Sequence, residues 1–270
     1  MTPLDVRFPR PSVMGVVNVT PDSFSDGGVH LAPDVAAAAA RRMAADGAAI
    51  VDIGGESTRP GSEGVTADEE LRRVVPVLEL LASEMPISID TAKAEVARKA
   101  LELGAVMVND TTALRGDPDL AEVCAEHDAY VCLMHMQGEP RTMQLEPRYD
   151  DVVAEVAAFL EERVAFAVEQ GIAEERICVD PGIGFGKTVA HNVELLRGLH
   201  VLVALGRPVL VGVSRKSSLG KLAGDASAKT GPLSASIAAA VTAYERGASL
   251  FRVHDVKEHV DALAIATALA

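Results

Sequence analysis

The sequence predicts a closed barrel of eight parallel β-strands, each followed by an α-helix. Three observations predict it. Short, nearly unbroken aliphatic runs alternate with longer helical segments eight times along the chain. A polar residue stands at or just past the end of every run. The chain has 270 residues, close to the roughly 250 that one such barrel needs. No linker, low-complexity segment or composition shift marks a second domain, so residues 1–270 read as a single domain. An open, doubly wound sheet is the runner-up.

In chain order the strands fall at 13–19, 50–53, 87–90, 106–109, 130–134, 177–180, 209–213 and 250–253. Strands covered on both faces are continuously apolar in this way. Any one run alone reads equally as a piece of buried helix, but eight in strict alternation do not. The helices fall at 33–45, 68–84, 93–103, 118–127, 150–170, 192–205, 233–246 and 256–269. Gly47, Gly104, Gly171, Gly206 and Gly247 follow five of them, where a residue without Cβ relieves a left-handed cap.

Composition narrows the function. Hydrophobic residues make up 49% of the chain, which supports a large core and excludes a disordered chain. Thirty-nine acidic against 25 basic residues give a net charge of −14. Binding to nucleic acid needs a basic surface, and a polybasic membrane anchor needs clustered cations, so both are excluded. One small anionic ligand remains compatible, since a few local cations hold it. Cys124, Cys132 and Cys178 show neither paired nor metal-ligand spacing, as in a reducing compartment. Residues 1–11 carry no apolar run of signal-peptide length, and the alanine-rich stretch 35–40 is too short to span a bilayer. The expected location is cytoplasmic.

In a barrel of this kind the reacting groups sit where the strands run out. The runs lead to Asn18, Asp52 with the Gly-Gly-Glu56 turn, Asp90, Asn109 with Asp110, His135, Asp180, Ser214-Arg215-Lys216, and Arg252 with His254. Asp110 reads equally well as a helix cap. Capping is a poor account of the whole set, which includes Lys, Arg, His and Asn. The segments 19–32, 54–67 and 135–149 are long and rich in Gly, Pro, Ser, Thr and Asp, as functional loops are. The run Gly182-Ile-Gly-Phe-Gly186-Lys187-Thr188 looks like a phosphate loop, but it has three residues, not four, before its Gly-Lys pair. A tight strand-to-helix turn with N–H groups free for a ligand is the expectation there.

These blocks together resemble the dihydropteroate synthase family over essentially the whole chain from Val13. The resemblance rests on Met14-Gly-Val-Val-Asn18-Val-Thr-Pro-Asp22-Ser-Phe24-Ser-Asp26-Gly-Gly28 and Gly54-Gly-Glu-Ser-Thr58-Arg59-Pro60-Gly61. It continues through Ser88-Ile-Asp90-Thr, Asn109-Asp-Thr-Thr-Ala-Leu, Met134-His135-Met-Gln-Gly and Asp180-Pro-Gly-Ile-Gly-Phe-Gly-Lys-Thr188. Ser214-Arg-Lys216-Ser and Arg252-Val-His254-Asp255-Val complete it. The family is a TIM barrel. It joins 4-aminobenzoate to 7,8-dihydropterin-6-ylmethyl diphosphate in folate biosynthesis, with Mg2+, and is a sulfonamide target.

The resemblance implies roles that the chemistry of each residue can be asked to support. A pterin edge carries amino and ring N–H donors, which a buried carboxylate accepts in parallel. Asp180 takes that place, or else caps the Pro-Gly turn. Asn109 suits the mixed donor–acceptor remainder, Lys216 donates to the ring carbonyl or a ring nitrogen, and Asp90 stabilises positive charge on the ring. Arg252 and His254 fall after the eighth strand, where barrels often bind phosphate. Their i, i+2 spacing puts both on one face of an extended segment, although Arg252 alone also reads as a buried ion pair. Asn18, a common turn former, is implied as the Mg2+ ligand, and Thr58 as a diphosphate donor. Phe24, Pro60, Lys216 and Ser217 are implied around 4-aminobenzoate, with Asp26 and Arg59 closing over the reacting centre. Phe24 also reads as a plain loop anchor, and His135 as a structural loop residue.

The resemblance implies that diphosphate leaves before the amine attacks, so the pterin diphosphate and Mg2+ are expected to bind first. The loop acids Asp22, Asp26 and Glu56 then lack an organising cation until they do. The resemblance also implies a homodimer, through barrel-wall helices near the C-terminal half; the alanine-rich helix at 233–246 permits close packing there, although its alanines also read as packing on the barrel. The rival readings are a pterin-dependent methyltransferase barrel, which has no need of Arg252 and His254, and a non-catalytic pterin-binding paralogue, which has no need of the two loops.

Overall fold

The computed structural model describes residues 2–20, 33–57, 61–62 and 64–270. Among them eight strands run parallel in the order β6-β5-β4-β3-β2-β1-β8-β7. They are β1 (Ser12–Asn18), β2 (Ile50–Gly54), β3 (Ile87–Asp90), β4 (Met107–Asp110), β5 (Tyr130–Met134), β6 (Ile177–Asp180), β7 (Leu210–Val211) and β8 (Leu250–Val253). The remaining seam, β6 to β7, is closed by a parallel bridge between Val179 and Val209, with Val179 N–H donating to Pro208 O at 3.0 Å. The sheet is therefore a TIM barrel, and the open-sheet alternative fails. β7 is shorter than the five-residue run suggests.

Eleven α-helices are found among the described residues: α1 (Leu4–Arg7), α2 (Pro33–Ala45), α3 (Ala67–Leu81), α4 (Ala94–Glu102), α5 (Leu120–Glu126), α6 (Val152–Glu169), α7 (Val189–Arg197), α8 (Leu199–Val203), α9 (Ser217–Leu222), α10 (Leu233–Glu245) and α11 (Val256–Leu269). Local chemistry sets several ends. Thr66 caps α3 by accepting Glu69 N–H, and Asp151 caps α6 by accepting Val153 and Ala154 N–H. All five glycines expected past helix ends have φ between +75° and +109°. The single helix expected at 192–205 starts earlier, capped by Thr188, and breaks at Gly198 into α7 and α8. A Cβ at Gly198 would lie 2.8 Å from a methyl of Val153 on α6.

Strand residues alternate in direction. Val51, Ile53, Ile87, Ile89, Val108, Val131 and Leu133 pack outward under α2 to α5, and Val179, Val211, Phe251 and Val253 do so on the other side. A separate interior cluster joins Met14, Ile50, Met107, Tyr130, Cys132, Cys178, Leu210 and Leu250 to Leu4 and Phe8 of the N-terminal segment. The short α1 thus plugs the barrel floor, an assignment the sequence reading did not make. Phe8 meets the Tyr130 ring edge-on at 5.7 Å. Each such fully buried side chain contributes about 1.5–3 kcal/mol. Toward the opposite end the inward positions turn polar: Asp52, Ser88, Asp90, Asn109, Asp180 and Arg252. No helix among the described residues is long and apolar enough to cross a membrane, and the three cysteines are free and buried.

Candidate active site

Register levels the strand ends. Asn18 pairs with Gly54, Gly54 with Asp90, and Asp90 with Asn109, so four consecutive strands finish on one rim. Arg252 reaches across this rim. Its Nε donates to Asp52 Oδ2 and its Nη2 to Asp90 Oδ2, both at 2.6 Å. Asn109 Nδ2 donates to the same Asp52 Oδ2 at 2.9 Å. The reading of Arg252 as a buried ion pair is therefore realised for two of its nitrogens. The side chain is still 21% exposed, which leaves Nη1 for a ligand.

The electrostatics follow from three inward acids, Asp52, Asp90 and Asp180, facing two cations, Arg252 and Lys216. Burial pushes Asp90 up to about 7; Arg252 opposes the shift, while Asp52, Glu70 and Asp110 add to it. Burial works against the charge on Arg252, but Asp52 and Asp90 outweigh it and keep the guanidinium firmly protonated. Burial raises Asp180 too, against the Gly182 N–H and the charges of Lys216 and Arg252. Lys216 is lowered to about 8 by burial, with Asp180 pulling it back up and Arg252 pressing it down. Its ammonium lies over the Phe185 ring, 4.4 Å from the centroid, and makes no hydrogen bond among the described residues.

Asp180 accepts Gly182 N–H at 2.7 Å through Oδ1. The capping reading thus holds for one oxygen, and Oδ2 is left for a ligand. His254 is half-buried. Its backbone N–H donates to Ser214 Oγ at 3.2 Å, and that hydroxyl in turn lies 3.1 Å from Nδ1. With Ser214 donating to Nδ1, the proton of the neutral ring sits on Nε2. Burial, then Arg215 and Arg252, lower His254 to about 4, so the free ring is a neutral donor and not a cation. Ser217 is the first residue of α9, directly after Lys216, which stands at the helix N-cap.

Several sequence expectations change here. Three of the five N–H groups in the 182–186 turn are taken: Gly182 donates to Asp180, Gly184 to Asn192 Oδ1 at 2.8 Å, and Phe185 to Gly182 O at 3.0 Å, so among the described residues the expected free donors reduce to Ile183 and Gly186. This turn packs against the segment after β5. A Cβ at Gly182 (φ +65°) would lie 1.9 Å from His135 O, and one at Gly186 (φ +60°) 2.3 Å from Gln137 O. Lys187 pins the two segments, donating to Phe185 O at 2.9 Å and His135 O at 3.3 Å, with His135 Nδ1 at 2.9 Å. Burial, then Lys187, hold His135 down to about 3, which fits the structural reading of that residue. Glu56 does not lack a cation: Lys93 bonds both Glu56 and the buried Glu70. Asp110 is a turn former, accepting Thr112 N–H, Thr112 Oγ1–H and Leu114 N–H at 2.6–2.7 Å. Phe24, Asp26, Thr58, Arg59 and Pro60, like Asp22, lie outside the described residues. Asp52 and Phe185 join the site although neither was assigned a role from sequence. The signal for Asp52 was its inward parity with the strand end at Gly54.

The comparisons agree with this geometry. The family model described as "Pterin binding enzyme" matches residues 14–254. The dihydropteroate synthase of Escherichia coli (strain K12) is 48% identical over 272 residues, covering 99% of this chain and 94% of that protein. A solved structure of the Xanthomonas albilineans dihydropteroate synthase with 4-aminobenzoic acid superposes with a TM-score of 0.89 at 49% identity, covering 97% of this chain and 94% of the other. The same enzyme in complex with 7,8-dihydropteroate gives 0.85 at 47% identity, with the same coverage. The chain belongs to the dihydropteroate synthase family of pterin-binding TIM-barrel enzymes.

Proposed function

We propose that this chain condenses 7,8-dihydropterin-6-ylmethyl diphosphate with 4-aminobenzoate, releasing diphosphate and 7,8-dihydropteroate for folate biosynthesis. The observation that carries the reading is the rim itself: an open carboxylate oxygen on Asp180, an unbonded ammonium on Lys216, and an arginine on the last strand with a histidine directly after it. The pterin edge lies on Asp180 and Asn109, with Lys216 on the ring carbonyl or a ring nitrogen. The diphosphate takes Arg252 Nη1 and His254 Nε2–H. Thr58 is assigned to the diphosphate by resemblance.

The reaction runs through a cation. The methylene C–O bond breaks and its electron pair leaves with the diphosphate. Positive charge spreads into the pterin ring, where ionised Asp90 stabilises it. The aromatic amine attacks the methylene carbon, a C–N bond forms, and the amine proton passes to solvent. Ser217 holds the 4-aminobenzoate carboxylate, with Phe24, Pro60 and Lys216 lining the slot, while Asp26 and Arg59 exclude water. The pterin substrate binds first. Since Glu56 already has Lys93, the cation-dependent ordering rests on Asp22 and Asp26.

The donor set fits Mg2+ as part of the substrate complex. Among the described residues no group of three or more His, Cys, Asp or Glu is placed to hold a metal ion. Asn18 offers one neutral oxygen at the rim. That suits a cation whose other ligands are waters and phosphate oxygens. When bound, Mg2+ neutralises charge on the leaving diphosphate.

We place the protein in the cytoplasm, where three unpaired buried thiols are stable. We also propose a homodimer. The alanines of α10 divide: Ala240 and Ala243 face the barrel, Ala238 is exposed. Leu233 of α10 and Ile265 and Leu269 of α11 are exposed apolar residues on these two helices.

Turnover with both substrates tests the reading. Dihydropteroate and diphosphate are expected in equal amounts, and formation of neither would refute it. The pH profile follows from the two perturbed groups. Asp90 must be ionised, so kcat/KM falls as pH drops through about 7. Lys216 must be protonated, so it falls again as pH rises through about 8. A narrow bell is expected, and a flat profile from pH 6 to 9 would remove both residues from the reaction.

A further inference from the structure

Asp52 is wholly buried and faces the barrel axis from β2. Its Oδ2 receives Arg252 Nε and Asn109 Nδ2 together, while its Oδ1 is buried with no partner among the described residues. A carboxylate only accepts hydrogen bonds. The end of the Asn109 side chain that meets Asp52 must therefore be its amino end, on chemical grounds alone. The carbonyl oxygen is then turned away, and it makes no hydrogen bond among the described residues. One Asn109 N–H is spent on Asp52. The other N–H and Oδ1 form a donor–acceptor edge whose sense is fixed.

That sense matters for the ring. A 2-amino-4-oxo pteridine presents its exocyclic N–H beside an accepting ring nitrogen. The 2,4-dioxo counterpart presents a carbonyl beside a ring N–H, which is the reversed pattern. Asn109 in the fixed orientation matches the first, and Asn109 flipped by 180° matches the second equally well. A free asparagine would read both.

We propose that Asp52 is a specificity-determining positioning residue, which locks the Asn109 amide so that the site takes the amino ring and rejects the oxo ring. The proposal rests on the pterin-site reading above. Asp180 discriminates in the same direction through its own contact, so Asp52 controls a share of the selectivity and not all of it. The acceptor atom is what sets the lock. Arg252 Nε demands an acceptor at the position of Oδ2. In Asp52→Asn the amide oxygen fills that place, still receives Asn109 Nδ2, and keeps the orientation. Asp52→Leu removes the acceptor and frees Asn109 to turn.

The test titrates the wild type, Asp52→Asn, Asp52→Leu and Asn109→Ala with a 2-amino-4-oxo pteridine and its 2,4-dioxo counterpart, reading the ratio of the two affinities. The wild type should prefer the amino ring, and Asp52→Asn should keep that ratio. Asp52→Leu and Asn109→Ala should each lower it by about tenfold, the scale of one buried hydrogen bond. A second readout separates the lock from mere support of the fold: Asp52 helps to hold the Asp90 carboxyl up, so Asp52→Asn should move the acid limb of the rate profile to lower pH. If the wild type binds neither ring, the pterin-site reading fails. If it prefers the amino ring, and folded Asp52→Leu or Asn109→Ala keeps that preference, the proposal alone is overturned. Where Asp52→Leu does not fold, Asn109→Ala and Asp52→Asn decide: loss of the ratio in Asp52→Asn also overturns it.

Discussion

Asp180→Ala is expected to abolish pterin binding while leaving the barrel folded. The carboxylate stands at the end of β6, 5% exposed, with Oδ2 open and Lys216 near enough to hold its charge. Hydrogen bonds to a charged group are worth about 1.5–3 kcal/mol each, so losing two from the ring edge costs on the order of 10²–10⁴ in affinity. The fold loses little. Gly182 N–H gives up one acceptor, and a buried acid whose ionisation burial already disfavours is removed. Calorimetry with a pterin analogue, beside a thermal melt, separates the two effects. Unchanged affinity would remove Asp180 from the site.

Arg252→Met acts on both stability and turnover. The guanidinium is the shared partner of Asp52 and Asp90, and breaking a buried pair strands its acids. The expected loss is about 3–5 kcal/mol, with no measurable turnover. The sign with pH follows. An unpaired buried carboxyl titrates above its unfolded value, so its ionisation destabilises the fold at high pH and is relieved as protonation sets in. Urea melts should therefore show a larger loss at pH 8 than at pH 5.5. Adding Asp52→Asn and Asp90→Asn should restore much of the stability and none of the activity. Equal stability of Arg252→Met and the wild type at pH 8 would contradict the description of the rim.

The barrel was legible because parallel strands covered on both faces leave continuous apolar runs, and because Gly47, Gly104, Gly171, Gly206 and Gly247 punctuate the helices. The polar rim was legible for a related reason: Asn18, Asp90, Asn109, Asp180 and Arg252 each interrupt an apolar run where the strand ends. What connects them was not. Arg252 lies 200 residues from Asp52 and 162 from Asp90 in sequence, and only barrel closure brings them together. The plug formed by Leu4 and Phe8 spans a single turn, too short for any periodicity. Three of the N–H groups expected to be free in the 182–186 turn, those of Gly182, Gly184 and Phe185, were lost to Asp180, Asn192 and Gly182, because a turn packed against His135 and Gln137 bonds inward. Lys187 and His135 follow the same logic: each reads as a ligand group in isolation, and each is spent on holding two loops together.

A crystal structure of the protein soaked with a pterin and diphosphate tests most directly the claim that the rim is one pterin diphosphate site. The amino edge of the ring is expected on Asp180 Oδ2 and Asn109 Oδ1, Lys216 Nζ on the ring carbonyl or a ring nitrogen, and diphosphate oxygens on Arg252 and His254. A ring bound with that edge turned from Asp180, or diphosphate bound away from the end of β8, would contradict that claim.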